Sequence, residues 1–446
     1  MASDDDSRIR LDGDTLVVEG PVVLAGTIRP PGDKSVSHRA LLMAAIAKGE
    51  SRISNLSTGA DVSSTMRFLK CLGVGLQSRE ALVVVEGRGL EGLAEPTRVI
   101  DCQNSGTTMR LGSGLVAGLP YLSVLTGDAS LRRRPMDRVA VPLSSMGAAV
   151  NTSPGGVPPV MIRGRRLRGI EYELPVASAQ VKGAILLAGL AAEGRTLVKE
   201  KYPTREHTEV MLKALGASVE IADGEICLEP SEVLPFHAEI PGDISSASFF
   251  LAGAAMIPNS TVEAENVVLT PVRKRFADIL VSMGAEIVCD CRGEVLGQSF
   301  GTLRAQWNGS LGGFSIGARE IPSLIDEVVI LATAACLARG TSLIKDAAEL
   351  RTKESDRIAA LARELSKTGA FIEERPDGLL IKGVNGPPVA AEYDSHGDHR
   401  IAMATAMLAC ASKGVSRVHG ISACAVSYPE FVSELIRMAG SDHFYS

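Results

Sequence analysis

The chain carries no surplus of positive charge. Its formal net charge is −6, which excludes a nucleic-acid binder working by bulk charge. No run approaches the roughly 18 apolar residues of a membrane-spanning helix, so no span is expected. Eight cysteines are present without a C-x-x-C pair. Cys289 and Cys291 stand two apart on one face of an expected strand and read as plain thiols rather than a metal or disulfide site. The acidic opening, residues 1–6, lacks the charged-then-apolar pattern of a secretory leader, and a reducing cytoplasm is the expected compartment.

What is present is an ordinary globular composition, 45% apolar and 22% charged over 446 residues. Arginines are nevertheless bunched: Arg132, Arg133, Arg134 and Arg138 lie together, as do Arg163, Arg165, Arg166 and Arg168. In an acidic chain such clusters mark either a small anionic ligand or a solvated face.

The main organisational signal is internal repetition. Helices rich in small and apolar residues are expected to begin near Ser35, Ser105, Ser178, Ser245, Asp326 and Asp398, and their composition predicts burial nearly all round. A second, amphipathic helix recurs and ends at a glycine before an alternating strand, as at Gly73, Gly216, Gly284 and Gly369. Each repeat therefore reads strand, buried helix, strand, amphipathic helix, strand, strand. The last copy stops after Gly440, and the segment Thr15–Gly20 resembles Leu82–Gly87 closely enough to supply its missing strand. Two domains follow: 31–240, and 1–30 with 241–446. The chain crosses between them near Pro30-Pro31 and Pro241, and a cleft between domains is the default ligand site.

Polar clusters fall at the helix starts. Pro31-Gly32-Asp33-Lys34-Ser35 offers a turn, a lysine and free backbone N–H groups, with Arg39 one turn on. It is an anion site or an ordinary cap, and not a nucleotide P-loop, which needs GxxxxGK[ST]. Asn104-Ser105-Gly106 and Ser178-Ala179-Gln180 repeat the pattern, while Arg134 and Arg205 sit in nearby turns. In the second half, Asp326 either caps its helix or does chemistry. Lys353-Glu354-Ser355-Asp356-Arg357 and Asp398-His399-Arg400 are dense in charge; a solvated helix end would also explain the first.

Taken together, PGDKSVSHRA from Pro31, NSGTTMR from Asn104, RRRPM from Arg132, ASAQVK from Ala177, TREHTE from Thr204, PGDISSA from Pro241, LIDE from Leu324, KESDR from Lys353 and GDHRIAM from Gly397 resemble the 5-enolpyruvylshikimate-3-phosphate synthase family. The motifs run in order over nearly the whole chain. The resemblance implies an α/β fold of two inside-out barrel domains, each of three βαβαββ units, that closes on its ligands. It implies transfer of the enolpyruvyl group of phosphoenolpyruvate to shikimate-3-phosphate, by addition and elimination through a tetrahedral ketal. By resemblance, Lys34, Ser35, Arg39, Ser178, Ala179, Gln180, Arg205, Asp326 and Lys353 hold shikimate-3-phosphate. Lys34, Gly106, Arg134, Gln180, Arg357 and Arg400 hold phosphoenolpyruvate. Asp326 matches the base for the acceptor hydroxyl, Glu354 the group exchanging the C3 proton, and Lys34 completes the catalytic set. No metal or organic cofactor, nucleic acid or membrane is implied, and a monomer is the family expectation.

Two positions depart from the family pattern. Val426 stands where many relatives carry a lysine before a Ser/Thr-Phe-Pro motif, and Gln103 replaces the first glycine of Gly-Asn-Ser-Gly. Gly106 leaves room for glyphosate, which competes with phosphoenolpyruvate in this family. Transferases acting on UDP-N-acetylglucosamine place a cysteine where this chain has Ala129. Two rival functions are a protein that binds the same anions but has lost turnover, and a transferase acting on a related cyclic acceptor.

Overall fold

Six helices built mainly of small and apolar residues organise the chain: Lys34–Ile46, Gly106–Ala117, Ala179–Gly189, Ile244–Met256, Val328–Ala335 and His399–Ala411. In this computed structural model, which describes residues 8–440 apart from Glu80 and Asn385, every residue of Ile244–Met256 and His399–Ala411 is buried. The acidic opening, residues 1–6, lies outside the described residues. Helices apolar on all sides have no solvent face and must be wrapped. Five of the six are capped by a side chain accepting from the first turn: Asp33, Ser105, Ser178, Asp243 and Asp398. Each such cap stabilises its helix by about 1 kcal/mol.

The fifth helix is different. It begins at Val328 after a short helix, Ile321–Leu324, and its capping position is Glu327, with no side-chain cap bond. Asp326 does not cap it. Its carboxylate is engaged by arginines instead.

The wrapping elements are sheets and amphipathic helices. The helices Ala60–Cys71, His207–Ala214, Pro271–Ser282 and Arg357–Ser366 are followed by Gly73, Gly216, Gly284 and Gly369 at φ of 78°, 91°, 97° and 88°. Glycine adopts this left-handed turn without a Cβ clash. Among the described residues, six four-stranded sheets each carry a parallel pair at one edge with an antiparallel neighbour beside it. One example pairs Ile100–Asp101 in parallel with Leu122–Thr126, which runs antiparallel to Val157–Arg163, with Ala149–Ser153 beyond.

The chain divides into two compact units. One comprises residues 32–241 with 294–299; the other comprises 1–31, 242–293 and 300–446. The sheets show where sequence neighbours part company. His237–Glu239 pairs with Lys48–Ser54, whereas Ala25–Ile28, just before the first buried helix, pairs with Thr261–Val268. The hairpin Ile9–Asp12 and Thr15–Gly20 completes the last sheet through Gly414–His419. Within the second unit the three buried helices pack on one another.

Candidate functional site

In the unit of residues 32–241, the cations gather at helix starts because caps and turns hold them there. Asp33 turns its carboxylate onto the Val36 N–H at 2.9 Å, leaving Lys34 as the first helical residue. Lys34 Nζ lies 3.0 Å from Asp61. Arg39 is buried; it donates to Thr208 Oγ1 at 2.6 Å and to the Ser35 carbonyl at 3.0 Å. Burial, opposed by Glu209 and Asp33 and reinforced by Arg205, pushes its guanidinium down to about 10, still charged at neutral pH.

Ser178 caps the third buried helix, Ala179 opens it, and Gln180 donates to Thr107 Oγ1 at 3.0 Å. The other amide atom of Gln180, its Oε1, is buried without a partner among the described residues. Arg205 lies in the turn before His207–Ala214. Gly106 opens its helix, and a methyl group there would lie 3.1 Å from Arg110 Nη1 and 3.4 Å from Arg134 Nη1. Arg134 is buried and donates to Asn104 Oδ1 at 2.9 Å, while Asn104 in turn reaches Asp128 at 2.6 Å. Arg132, Arg133 and the run Arg163, Arg165, Arg166 and Arg168 are exposed, so of the two arginine clusters it is Arg134 that turns inward.

The second unit brings Asp326, Glu354, Arg357 and Arg400 together. Arg357, 1% exposed at its side chain, donates to Glu354 at 2.7 Å and to Asp398 at 2.8 Å, and its Nη1 lies 3.6 Å from Asp326. Arg400 lies 3.3 Å from the same Asp326 oxygen. Burial alone would depress Arg357, but the Asp398, Glu354 and Asp326 carboxylates outweigh it and hold its pKa above the ordinary value. Burial raises Asp398, and Arg357 and His399 overcome it to leave that carboxylate below the usual range. Two buried arginines thus hold three carboxylates, of which Asp398 is buried and Asp326 and Glu354 are partly exposed, rather than forming the solvated helix end that the composition also allowed. Lys353 points to Glu349 at 3.0 Å. Val426 ends a short turn, Ile421–Val426, and Tyr428 beyond it packs against Phe250 and Phe431.

Some participants escaped sequence reasoning. Lys182, wholly buried, is held between Glu200 at 3.0 Å and Glu209 at 2.6 Å, beside the Thr208 that anchors Arg39. A lysine inside the apolar run AQVKGAILLAG was the available signal, because such a charge needs buried partners. Asp61 carried no comparable mark. Among the described residues no group of three or more His, Cys, Asp or Glu is placed to hold a metal ion, and no helix is long and apolar enough to cross a membrane. Cys289 and Cys291 are exposed free thiols.

Comparison with known proteins gives one answer over almost the full length. Residues 18–435 match the family model described as EPSP synthase (3-phosphoshikimate 1-carboxyvinyltransferase). The chain is 48% identical to a 3-phosphoshikimate 1-carboxyvinyltransferase of Pelotomaculum thermopropionicum, covering 93% of this chain and 96% of that one. It is 46% identical to the protein of the same name from a Synechococcus strain, covering 93% and 94%. Among solved structures, an EPSP synthase from Acinetobacter baumannii superimposes with a TM-score of 0.85 at 38% identity, covering 95% of this chain and 98% of that one.

Proposed function

The chain belongs to the EPSP synthase family, and from that premise we propose that it transfers the enolpyruvyl group of phosphoenolpyruvate to the 5-hydroxyl of shikimate-3-phosphate, releasing phosphate. The observation that carries the reading is the constellation in which Arg357 bonds Glu354 while Asp326 lies against Arg357 and Arg400. Two carboxylates and two guanidinia are what the reaction asks for: proton carriers beside anion holders.

In the addition step Asp326 accepts the proton of the 5-hydroxyl as its oxygen bonds to C2 of phosphoenolpyruvate. The C2–C3 double-bond pair takes a proton at C3 from the Glu354 carboxylic acid, giving the tetrahedral ketal. In the elimination step Glu354 recovers a proton from C3, the double bond re-forms, and the bond from C2 to the phosphate oxygen breaks with its electron pair leaving on phosphate. The proton held by Asp326 passes to that phosphate, which restores the Asp326 carboxylate. Each step conserves protons, and the net products are the enol ether and phosphate.

The cations act where charge develops. Arg357 and Arg400 hold phosphoenolpyruvate, together with Arg134 and the helix start at Gly106. Lys34 carries charge for the departing phosphate and, with Ser35, Arg39, Ser178, Ala179, Gln180, Arg205 and Lys353, holds shikimate-3-phosphate. Fixed donors of this kind stabilise a charged transition state without having to reorganise. The protein works as a monomer in the cytoplasm.

Phosphate release with phosphoenolpyruvate and shikimate-3-phosphate, with UDP-N-acetylglucosamine as parallel acceptor, tests the reading. Release that depends on shikimate-3-phosphate is expected. Asp326→Asn and Glu354→Gln should each lower kcat by roughly 10²–10⁴; undiminished turnover in either refutes that residue's role. Val426, standing where many relatives have a lysine, favours one second reading, a protein that binds both ligands without turnover. No release with either acceptor would favour it or a transferase with another acceptor, and tight binding of both ligands without turnover would select it.

A further inference from the structure

Behind the start of the Gly106 helix lies a chain of buried hydroxyls that the reaction scheme leaves unused. His38 Nδ1 lies 2.6 Å from Thr65 Oγ1, Thr65 Oγ1 lies 2.7 Å from Thr108 Oγ1, and Thr108 Oγ1 donates to Ser105 Oγ at 2.8 Å. The Thr108 N–H also donates to Ser105 Oγ, at 3.2 Å, as the cap of the helix. All four residues are buried, none more than 1% exposed. They come from three helices: Lys34–Ile46, Ala60–Cys71 and Gly106–Ala117.

Proton counting gives the chain a direction. A hydroxyl has one proton to give. Thr108 turns its proton to Ser105 at 2.8 Å, with the Asp61 carbonyl a longer second acceptor at 3.4 Å, and in either case gives none to Thr65. So Thr65 gives its own to Thr108, and His38 donates to Thr65 from Nδ1–H. The His38 Nε2 then holds a lone pair, buried and without a partner among the described residues. Burial first, then Lys34 and Arg39, hold the His38 pKa well below its ordinary value, so the ring is neutral and the direction is kept. Every link donates the same way and ends on the cap that fixes the Gly106 turn. Asp61, whose carboxylate meets Lys34, lies on the helix that carries Thr65.

We infer that His38, Thr65 and Thr108 are positioning residues that lock the start of the Gly106 helix, and with it the donor-binding turn, to the helix that begins at Lys34. The inference rests on the transferase reading above. An anion at a helix start is held by N–H groups whose position matters to a fraction of an ångström. A chain of directed hydrogen bonds supplies that register where apolar packing would permit sliding.

The test is Thr65→Val in the full-length protein, which keeps the shape and removes the middle link. It should raise KM for phosphoenolpyruvate roughly five- to tenfold, the worth of one hydrogen bond. KM for shikimate-3-phosphate should stay within about twofold, and Thr65→Ser should restore the donor KM. An unchanged donor KM, an equal rise in both KM values, or no rescue by serine overturns the inference. Thr108→Val carries the same expectations. If neither valine variant folds, the ¹⁵N imidazole spectrum of His38 in the unmodified protein decides: it should show Nδ1–H and move when phosphoenolpyruvate and shikimate-3-phosphate are added, and a ring that is Nε2–H or unresponsive overturns it. Absence of turnover in the unmodified protein would instead count against the transferase reading itself.

Discussion

Consider Gly106→Ala. The new methyl would meet Arg110 Nη1 at 3.1 Å, Arg134 Nη1 at 3.4 Å and Leu131 Cδ1 at 3.8 Å. The first two are ends of side chains, so the fold can yield by a few tenths of an ångström. Arg134 is the costly neighbour, because Asn104 and Asp128 hold it from behind. Two effects then oppose each other. Alanine gains up to about 1 kcal/mol over glycine in helix propensity, so stability should be unchanged or slightly higher. A charge-assisted contact from a displaced Arg134 loses about 1.5–3 kcal/mol, roughly a ten- to hundredfold rise in KM for phosphoenolpyruvate. Glyphosate, for which Gly106 leaves room, should be crowded by the same methyl, so its inhibition constant should climb as well. Urea unfolding and steady-state kinetics on the same preparation check both halves. A donor KM within about twofold of the unmodified protein refutes the steric argument.

Three further outcomes follow from buried polar groups. Lys182→Met leaves Glu200 and Glu209 facing each other without their cation and should cost about 3–5 kcal/mol in urea unfolding; a loss below about 1 kcal/mol would show that the triad is dispensable. Tyr428→Phe removes a hydroxyl that is buried without a partner among the described residues, and should raise stability by about 1–3 kcal/mol, whereas a lower unfolding midpoint would reveal a partner. His38 gives an acid limb. Its folded pKa lies below the unfolded value of about 6.5, so its contribution is complete above that value and falls by about 1.4 kcal/mol per pH unit as pH drops toward the folded pKa. His38→Asn should flatten this limb in unfolding curves taken between pH 7 and pH 5, and an unaltered slope would assign it to other groups.

The buried helices were legible because composition alone decides their environment: a run such as Phe249-Phe250-Leu251-Ala252 has no polar face to offer water. The glycines after the amphipathic helices were legible for a local reason, the left-handed turn. Asp326 was ambiguous because a carboxylate before a helix is a cap in most contexts, and here Arg357 and Arg400, which come from later in the chain, draw it away. The same separation hid the His38, Thr65 and Thr108 chain, since hydroxyls in helices carry no mark of their partners. The pairing partners of the strands beside the two crossings were not legible. Ala25–Ile28 and His237–Glu239 are short, and nothing local says which strand each will pair with.

Strand pairing has a temporal side. Residues 32–241 leave the ribosome as one stretch, so their unit has nearly all its own strands in hand when Glu239 appears. The hairpin Ile9–Asp12 and Thr15–Gly20 finds its partner, Gly414–His419, about 400 residues later. At roughly 5–20 residues per second, that is a wait of roughly 20–80 seconds. Throughout it, the edge of Thr15–Gly20 that will meet its partner stays open to wrong pairings. These strands are therefore secured only after most of the chain has been made, and anything that shields a nascent chain would matter to this hairpin.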